Sequence, residues 1–389
     1  MPHKSMEVGV EPNVLIWARE SIGMSIGEVA KRLKTSEDTI NKWESREKKP
    51  TLIQLKKLAR TIYKRPLAAF FLPEPPKEPP FPEDFRTLPQ DKKKPFSPKT
   101  LLAIRRARRL QSLASELAKS VGREIITEIG RANLSDDPEV IANRVRMQLG
   151  VEVQTQFGWK DENEALDKWE KIIEKRGVLV FQTGMPLEET RGFSLTEGEF
   201  PAVVLNISDS INGRIFSLFH EYGHLLLNDS GICDMGDQYY LSGEAELVEK
   251  FCNHFAGAIL VTKDALINHK LVKSSGYRSH WPDKKLKELA KNFKVSQEVI
   301  LRRLVILSLA DRDFYKAKHE EWKTTDYPRR GGGQRNLPKE CVRKNGTPFV
   351  SLVLESHRKE KITYSDVADY LAVRLKHLPQ VEQLIGGKI

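Results

Sequence analysis

His220, Glu221, Tyr222, Gly223 and His224 place two imidazoles four residues apart, with a carboxylate next to the first. In a helix, residues four apart stack on one face. Both rings then project together, a spacing suited to two nitrogen ligands on one tetrahedral Zn²⁺. Glu221, one position round the helix, can face a water on that metal and take its proton. The chemistry this allows is metal-assisted hydrolysis. Residues Ile215 to Leu227 read as the helix that must carry the set. Phe216, Leu218, Phe219, Leu225 and Leu226 make it a buried one, where imidazoles without partners would be costly.

A third ligand has to come from a second element. Residues Glu244 to Leu260 read as a helix whose apolar face is Phe251, Phe255, Ala258 and Ile259. Glu246, Glu249 and Asn253 share a neighbouring polar stripe, and spacing alone leaves both glutamates open as the ligand. The HEYGH run followed by EKFCNHFAGAIL resembles the ImmA/IrrE family of metallopeptidases over roughly residues 150 to 310. That resemblance implies one Zn²⁺ per chain on His220, His224 and Glu249, in the HExxH…E (gluzincin) manner, with Glu246 as the alternative. It also implies that Asn253 orients a ligand histidine. Cys252 stands where the family usually has Ala, and Leu260-Val261-Thr262 where it usually has Leu-Met-Pro; neither departure touches the metal chemistry.

Three short runs precede the first helix: Gly177 to Gln182, Thr190 to Leu195 and Pro201 to Asn206. Turn residues separate them, so they read as strands. They predict a small antiparallel sheet packed on the HExxH helix, with either of the last two runs as an edge that pairs with substrate backbone. The fold class expected is α+β, mostly α: a helical domain followed by a zincin-like domain. A zincin also needs a group to stabilise the oxyanion, and His254, Tyr222, Tyr239 and Arg191 all remain open for that role.

The N-terminus carries a second module. Ser25 to Leu33 reads as a helix with Ile26, Val29, Ala30 and Leu33 inward; Lys34-Thr35-Ser36 turns the chain, and Ser36 can cap the next helix. With Lys42-Trp43-Glu44 and the closing Leu55, Leu58 and Ala59, residues 14 to 72 resemble the Cro/CI-type (XRE) helix-turn-helix domain. The resemblance implies DNA binding through Ser36, Glu37, Thr39, Asn41, Lys42 and Arg46. Glu37 to Lys42 would line the major groove, and Lys42, Arg46, Lys48 and Lys49 would neutralise phosphates. Glu37 departs from the base-reading Gln often found there. Two carboxylates, Glu37 and Asp38, repel phosphate, although one can accept from a cytosine amino group.

The charge lies at the ends. Residues 1–75 carry 14 Lys/Arg against 9 Asp/Glu and residues 325–389 carry 12 against 7, while the middle, 38 against 37, is nearly neutral within a total of +11. A uniformly basic surface would imply non-specific adhesion; this pattern instead puts phosphate affinity on the flanks. The Arg105, Arg106, Arg108, Arg109 cluster is read as a solvated face on a helix begun by Ser97-Pro98. Three cysteines without a Cys-x-x-Cys pair indicate a reducing, cytoplasmic compartment. No apolar run approaches membrane length, and Cys252 reads as a small buried hydrophobe. Residues 72–82 are proline-rich and extended, a semi-rigid spacer; Arg329 to Arg335, with Gly331, Gly332 and Gly333, is a flexible break. The domains expected are 1–72, a linker 73–96, a peptidase domain 97–324, and a basic segment 325–389 without an assignment. The Val-Ala-x-x-Leu rhythm of the first helix-turn-helix returns loosely at Leu289 to Leu304 and at Tyr364 to Leu371.

Together these features predict a DNA-associated zinc endopeptidase of a prokaryotic or phage regulatory system. By the resemblance its protein substrate is a repressor with its own helix-turn-helix. The alternative is a helix-turn-helix regulator or antitoxin whose metallopeptidase-like fold binds a partner toxin.

Overall fold

The computed structural model describes residues 6–78, 83–84, 95–228, 231–233, 243–324 and 335–386. The chain divides into two compact units, residues 1–81 with 93–106, and residues 82–92 with 107–389. No described helix is long and apolar enough to cross a membrane.

The first unit holds α1 (Pro12–Glu20), α2 (Ile26–Leu33), α3 (Glu37–Glu44) and α4 (Leu52–Lys57), followed by a π-helical turn at Leu58–Tyr63. Its core is built from Val14, Leu15, Val29, Leu33, Ile40, Trp43, Leu55 and Leu58, all buried. Local sequence sets the helix starts. Ser25 and Glu28 form a reciprocal capping box on α2, and Ser36 Oγ accepts the Thr39 amide at α3. Lys34, left-handed at φ 62°, makes the turn between them. Arg19 on α1 donates to Glu44 at 2.8 Å and locks α3 in place. The proline-rich spacer begins by folding back, with Glu78 on Arg65 at 2.7 Å; residues 79–82 lie outside the described set.

Helix α5 (Pro98–Ser120) starts in the first unit and ends in the second. The second unit continues with α6 (Pro138–Leu149), α7 (Val153–Gly158), α8 (Glu162–Glu174), α9 (Ile211–Leu227), α10 (Glu244–Leu260), α11 (Lys263–Asn268), α12 (Lys270–Lys273), α13 (Asp283–Phe293), α14 (Gln297–Ile306) and α15 (Arg312–Thr324). Its strands are β1 (Glu83–Asp84), β2 (Leu179–Thr183), β3 (Gly192–Leu195), β4 (Ala202–Asn206) and β5 (Gly231–Cys233), in the order β1-β5-β3-β4-β2. Helix α9 is the hub. It packs on α10 along one side, on α8 along another, and on β3 and β4. Trp169 of α8 meets Phe219 of α9 edge to face at 4.8 Å, and Tyr222 stacks on Phe255 of α10.

The sheet is mixed, not wholly antiparallel as the sequence led us to expect. β3 and β4 form an antiparallel pair, but β2 lies on the far side of β4 and runs parallel to it. Alternating direction is required only of strands joined by a hairpin, and the chain from β2 to β3 passes β4 before turning back. This order also closes both proposed substrate edges. β4 is interior with all five residues buried, and β3 is paired on its other side with β5 at Gly192 and Phe193. Gln111 of α5 holds the turn between β3 and β4, donating to Glu197 O at 2.7 Å and Phe200 O at 2.6 Å.

Residues 335–386 form four further helices: α16 (Leu337–Asn345), α17 (Thr347–Arg358), α18 (Tyr364–Leu371) and α19 (Leu378–Gly386). α16 covers the outer edge of β2, and Glu174 of α8 accepts the Thr347 amide at 2.9 Å. The expected break at Arg329 to Arg335 falls almost wholly outside the described residues.

Candidate metal centre

The two helices carrying the motif residues approach unusually closely. A Cβ added at Gly223 would lie 3.1 Å from Cys252 Sγ and 3.2 Å from Cys252 Cα. Only a residue without a side chain lets α9 and α10 meet there. Cys252 is fully buried, filling the contact as a small hydrophobe. Glu249 and Asn253, flanking Cys252 on the same helix, are thereby carried to the histidines.

Nε2 of His220 and Nε2 of His224 are 3.3 Å apart. Glu249 spans them, Oε2 at 3.4 Å from His220 Nε2 and Oε1 at 3.2 Å from His224 Nε2. A tetrahedral Zn²⁺ with bonds of about 2.0–2.1 Å needs ligands about 3.3–3.4 Å apart. The three edges of this triangle fit that requirement, and the donor set, two imidazoles and a carboxylate, suits zinc. Among the described residues this is the one cluster of three metal-capable side chains. All three are buried, at 1 % exposure or less. Asn253 Oδ1 accepts from His220 Nδ1 at 3.2 Å, which fixes the tautomer that turns the Nε2 lone pair into the triangle. Glu246 lies elsewhere, paired with Lys250 one turn along the surface of α10.

The charges reinforce one another. Burial disfavours a charged His220, but the Glu249 carboxylate outweighs it and holds the ring's pKa up. Burial likewise works against an ionised Glu249, and the two imidazoles overcome it, holding that carboxyl far below the usual range. A site in which a carboxylate keeps its charge inside protein is one prepared for a cation.

Glu221 is also buried, and among the described residues its Oε2 has no hydrogen-bond partner. Burial pushes its carboxyl up, while His224 and His220 offset part of the shift. The space for it is made by Gly192 of β3, where an added Cβ would stand 3.3 Å from Glu221 Oε1. Sequence reasoning gave Gly192 no role. The available signal was a glycine inside a strand, which often marks the close approach of another group.

The proposed oxyanion groups are mostly engaged elsewhere. His254 Nε2 bonds Glu139 at 2.8 Å, and the same carboxylate pairs with buried Arg303. Tyr222 sits in the core, its hydroxyl donating to Ile129 O at 3.4 Å. Arg191 donates to Asp209 at 2.9 Å, and Tyr239 lies outside the described residues. In the N-terminal unit, Lys42 is tied to Asp38 at 2.7 Å and Arg46 to Glu11, while Glu37 is exposed at the start of α3. Ser36 and Thr39 share a hydrogen bond at 2.8 Å, and Asn41 is exposed on the same helix.

No curated protein matches the chain. Family models do. Residues 15–62 match a helix-turn-helix model and residues 173–305 the IrrE N-terminal-like domain. The chain therefore joins a DNA-binding helix-turn-helix of the XRE type to an IrrE N-terminal-like domain of the ImmA/IrrE kind.

Proposed function

We propose that this protein is a zinc-dependent endopeptidase of a prokaryotic or phage regulatory system, acting in the cytoplasm and held near its target by DNA. The observation that carries the reading is the triangle of His220, His224 and Glu249 donors, with edges of 3.2–3.4 Å, beside a buried carboxyl. These three residues hold the ion. When bound, Zn²⁺ supplies Lewis acidity toward a water and toward the scissile carbonyl. Glu221 takes the water's proton at Oε2, which has no hydrogen-bond partner among the described residues, and its raised pKa suits a base that later returns the proton to the leaving amine. Asn253 keeps His220 in its ligand tautomer. The DNA contacts assigned to this reading are Ser36, Glu37, Thr39, Asn41, Lys42 and Arg46 of the N-terminal unit. The substrate class is a protein, a helix-turn-helix repressor by family resemblance.

The test is metal content and cleavage together. Purified protein should hold one zinc; Glu249→Gln should lose it and Glu246→Gln should keep it. Glu221→Gln should keep zinc and fold while losing cleavage of a repressor encoded beside its gene. Zinc retained by Glu249→Gln would show that the triangle is not the metal site.

Full burial of His220, Glu221, His224 and Glu249 favours a second reading. In it the same fold is the scaffold of a regulator or antitoxin that binds a partner toxin. A Glu221→Gln variant that still performs the biological role of the intact protein would select it.

A further inference from the structure

We infer that the last two helices, residues 363–386, are a second DNA-binding helix-turn-helix, which reads duplex DNA through α19 and the residues just before it.

The geometry copies α2 and the turn that follows it; the second helix differs in opening with a 3-10 turn, Leu375–His377, where α3 is α-helical from Glu37. Thr363 caps α18 with a reciprocal box to Asp366, as Ser25 does to Glu28. Both helices run eight residues. Ala372 is left-handed at φ 49° and ψ 44°, where Lys34 has 62° and 52°. The next amide returns to the same carbonyl in each, Val373 to Ala368 at 3.1 Å and Thr35 to Ala30 at 3.0 Å. The buried positions coincide as well: Val367, Leu371, Leu378 and Val381 stand where the N-terminal unit has Val29, Leu33, Ile40 and Trp43.

The chain holds a third such turn, at Lys294 between α13 and α14 (φ 55°), with Val295 bonding back to Ala290. Its outward face is closed. Val299 and Leu301, which match half-buried Thr39 and exposed Asn41, are 7 % and 0 % exposed, and Glu298 is held by His319 of α15. That copy cannot enter a groove.

The C-terminal copy can. Its groove-facing positions are Arg374, Leu375, Lys376, Pro379 and Gln380, all exposed. Among the described residues, neither Arg374 nor Lys376 forms an ion pair. The corresponding stretch of the first unit, residues 36–48, carries Glu37, Asp38, Glu44 and Glu47 against Lys42, Arg46 and Lys48, and Lys42 and Arg46 are tied to Asp38 and Glu11. Arg374 to Gly386 carries Arg374 and Lys376 against Glu382 alone. Residues 325–389 carry 12 Lys/Arg against 7 Asp/Glu. In a helix-turn-helix the start of the second helix meets the major groove, and the copy with its cations free there is the C-terminal one.

This inference needs only that the chain binds duplex DNA; it is independent of the metal centre. The test uses the full chain and a short random-sequence duplex over a range of salt. Arg374→Ala with Lys376→Ala removes two phosphate contacts. The slope of log K against log salt should become less negative by about 1.8, and affinity should fall about 30-fold at ~0.15 M salt. Arg374→Lys with Lys376→Arg should restore both, and none of these exposed substitutions should move the melting temperature. Unchanged slope and affinity in the double alanine variant overturn the inference, most clearly if Lys48→Ala with Lys49→Ala lowers them. Absence of DNA binding by the unaltered protein at low salt overturns it too, while zinc content and cleavage would still report separately on the peptidase reading.

Discussion

Gly223→Ala asks whether the close approach of α9 and α10 is what assembles the candidate metal centre. Two effects oppose each other. Alanine inside a helix is favoured over glycine by about 0.8–1 kcal/mol. The new methyl, however, would stand 3.1–3.3 Å from Cys252 Sγ, Cα and Cβ, against an optimal carbon separation of about 3.5–4.0 Å. Cys252 is fully buried, and one of the offended atoms is backbone, so no rotamer change relieves the overlap. Overpacking of this kind costs about 1–3 kcal/mol, and we predict that it wins. The net loss should be about 1 kcal/mol, near 2–4 °C in melting temperature for a unit of this size. Zinc affinity should fall as well, because Glu249 and Asn253 move with Cys252. Melting curves with chelator and with zinc measure the two effects separately. Adding Cys252→Ala, which removes the nearest atom, should recover part of the loss. An increase in stability of about 1 kcal/mol with zinc affinity intact would mean that helix propensity alone operates and that the α9–α10 contact is not the constraint.

We further predict that Asn253→Ala lowers zinc affinity about 10–100-fold without unfolding the protein, since it removes only the partner of His220 Nδ1; unchanged affinity by competition with a chromogenic chelator would dismiss that role. Glu139→Ala should destabilise by about 3–5 kcal/mol, because it strands fully buried Arg303; denaturant titration decides, and a loss below ~1 kcal/mol would be incompatible with a buried ion pair. Burial, and next the neighbouring Glu170, push the Glu174 carboxyl up to about 8. A raised carboxyl contributes stability that is complete below its unfolded value and is lost as pH rises through the folded one. Melting temperature should therefore drop between pH ~5 and ~8, and Glu174→Gln, still able to accept the Thr347 amide, should flatten that part of the profile. A profile as steep in the variant would assign the dependence to other groups.

The features settled by sequence alone are those whose partners lie within a turn or two. The four-residue spacing of His220 and His224 places both rings on one helix face wherever that helix packs. Ser25 with Glu28, and Ser36 with Thr39, cap α2 and α3 through contacts three residues long. The mostly helical α+β class follows from periodicities of the same local kind. Long-range packing decided the rest. Glu246 and Glu249 share a polar stripe, and only the approach of α10 to α9 at Gly223 turns Glu249 onto both imidazoles and leaves Glu246 to Lys250. Strand runs do not encode their order, so the parallel neighbour β2 and the interior place of β4 appear only once β2 has crossed to the far side of the hairpin. Three helix pairs share one left-handed turn, a local property written into short amphipathic segments. Which of them keeps an open face depends on what packs over it: α15 beside α14, and nothing over Arg374 and Lys376 among the described residues. A pattern in sequence specifies a face; burial against distant residues determines whether that face becomes core, site or surface.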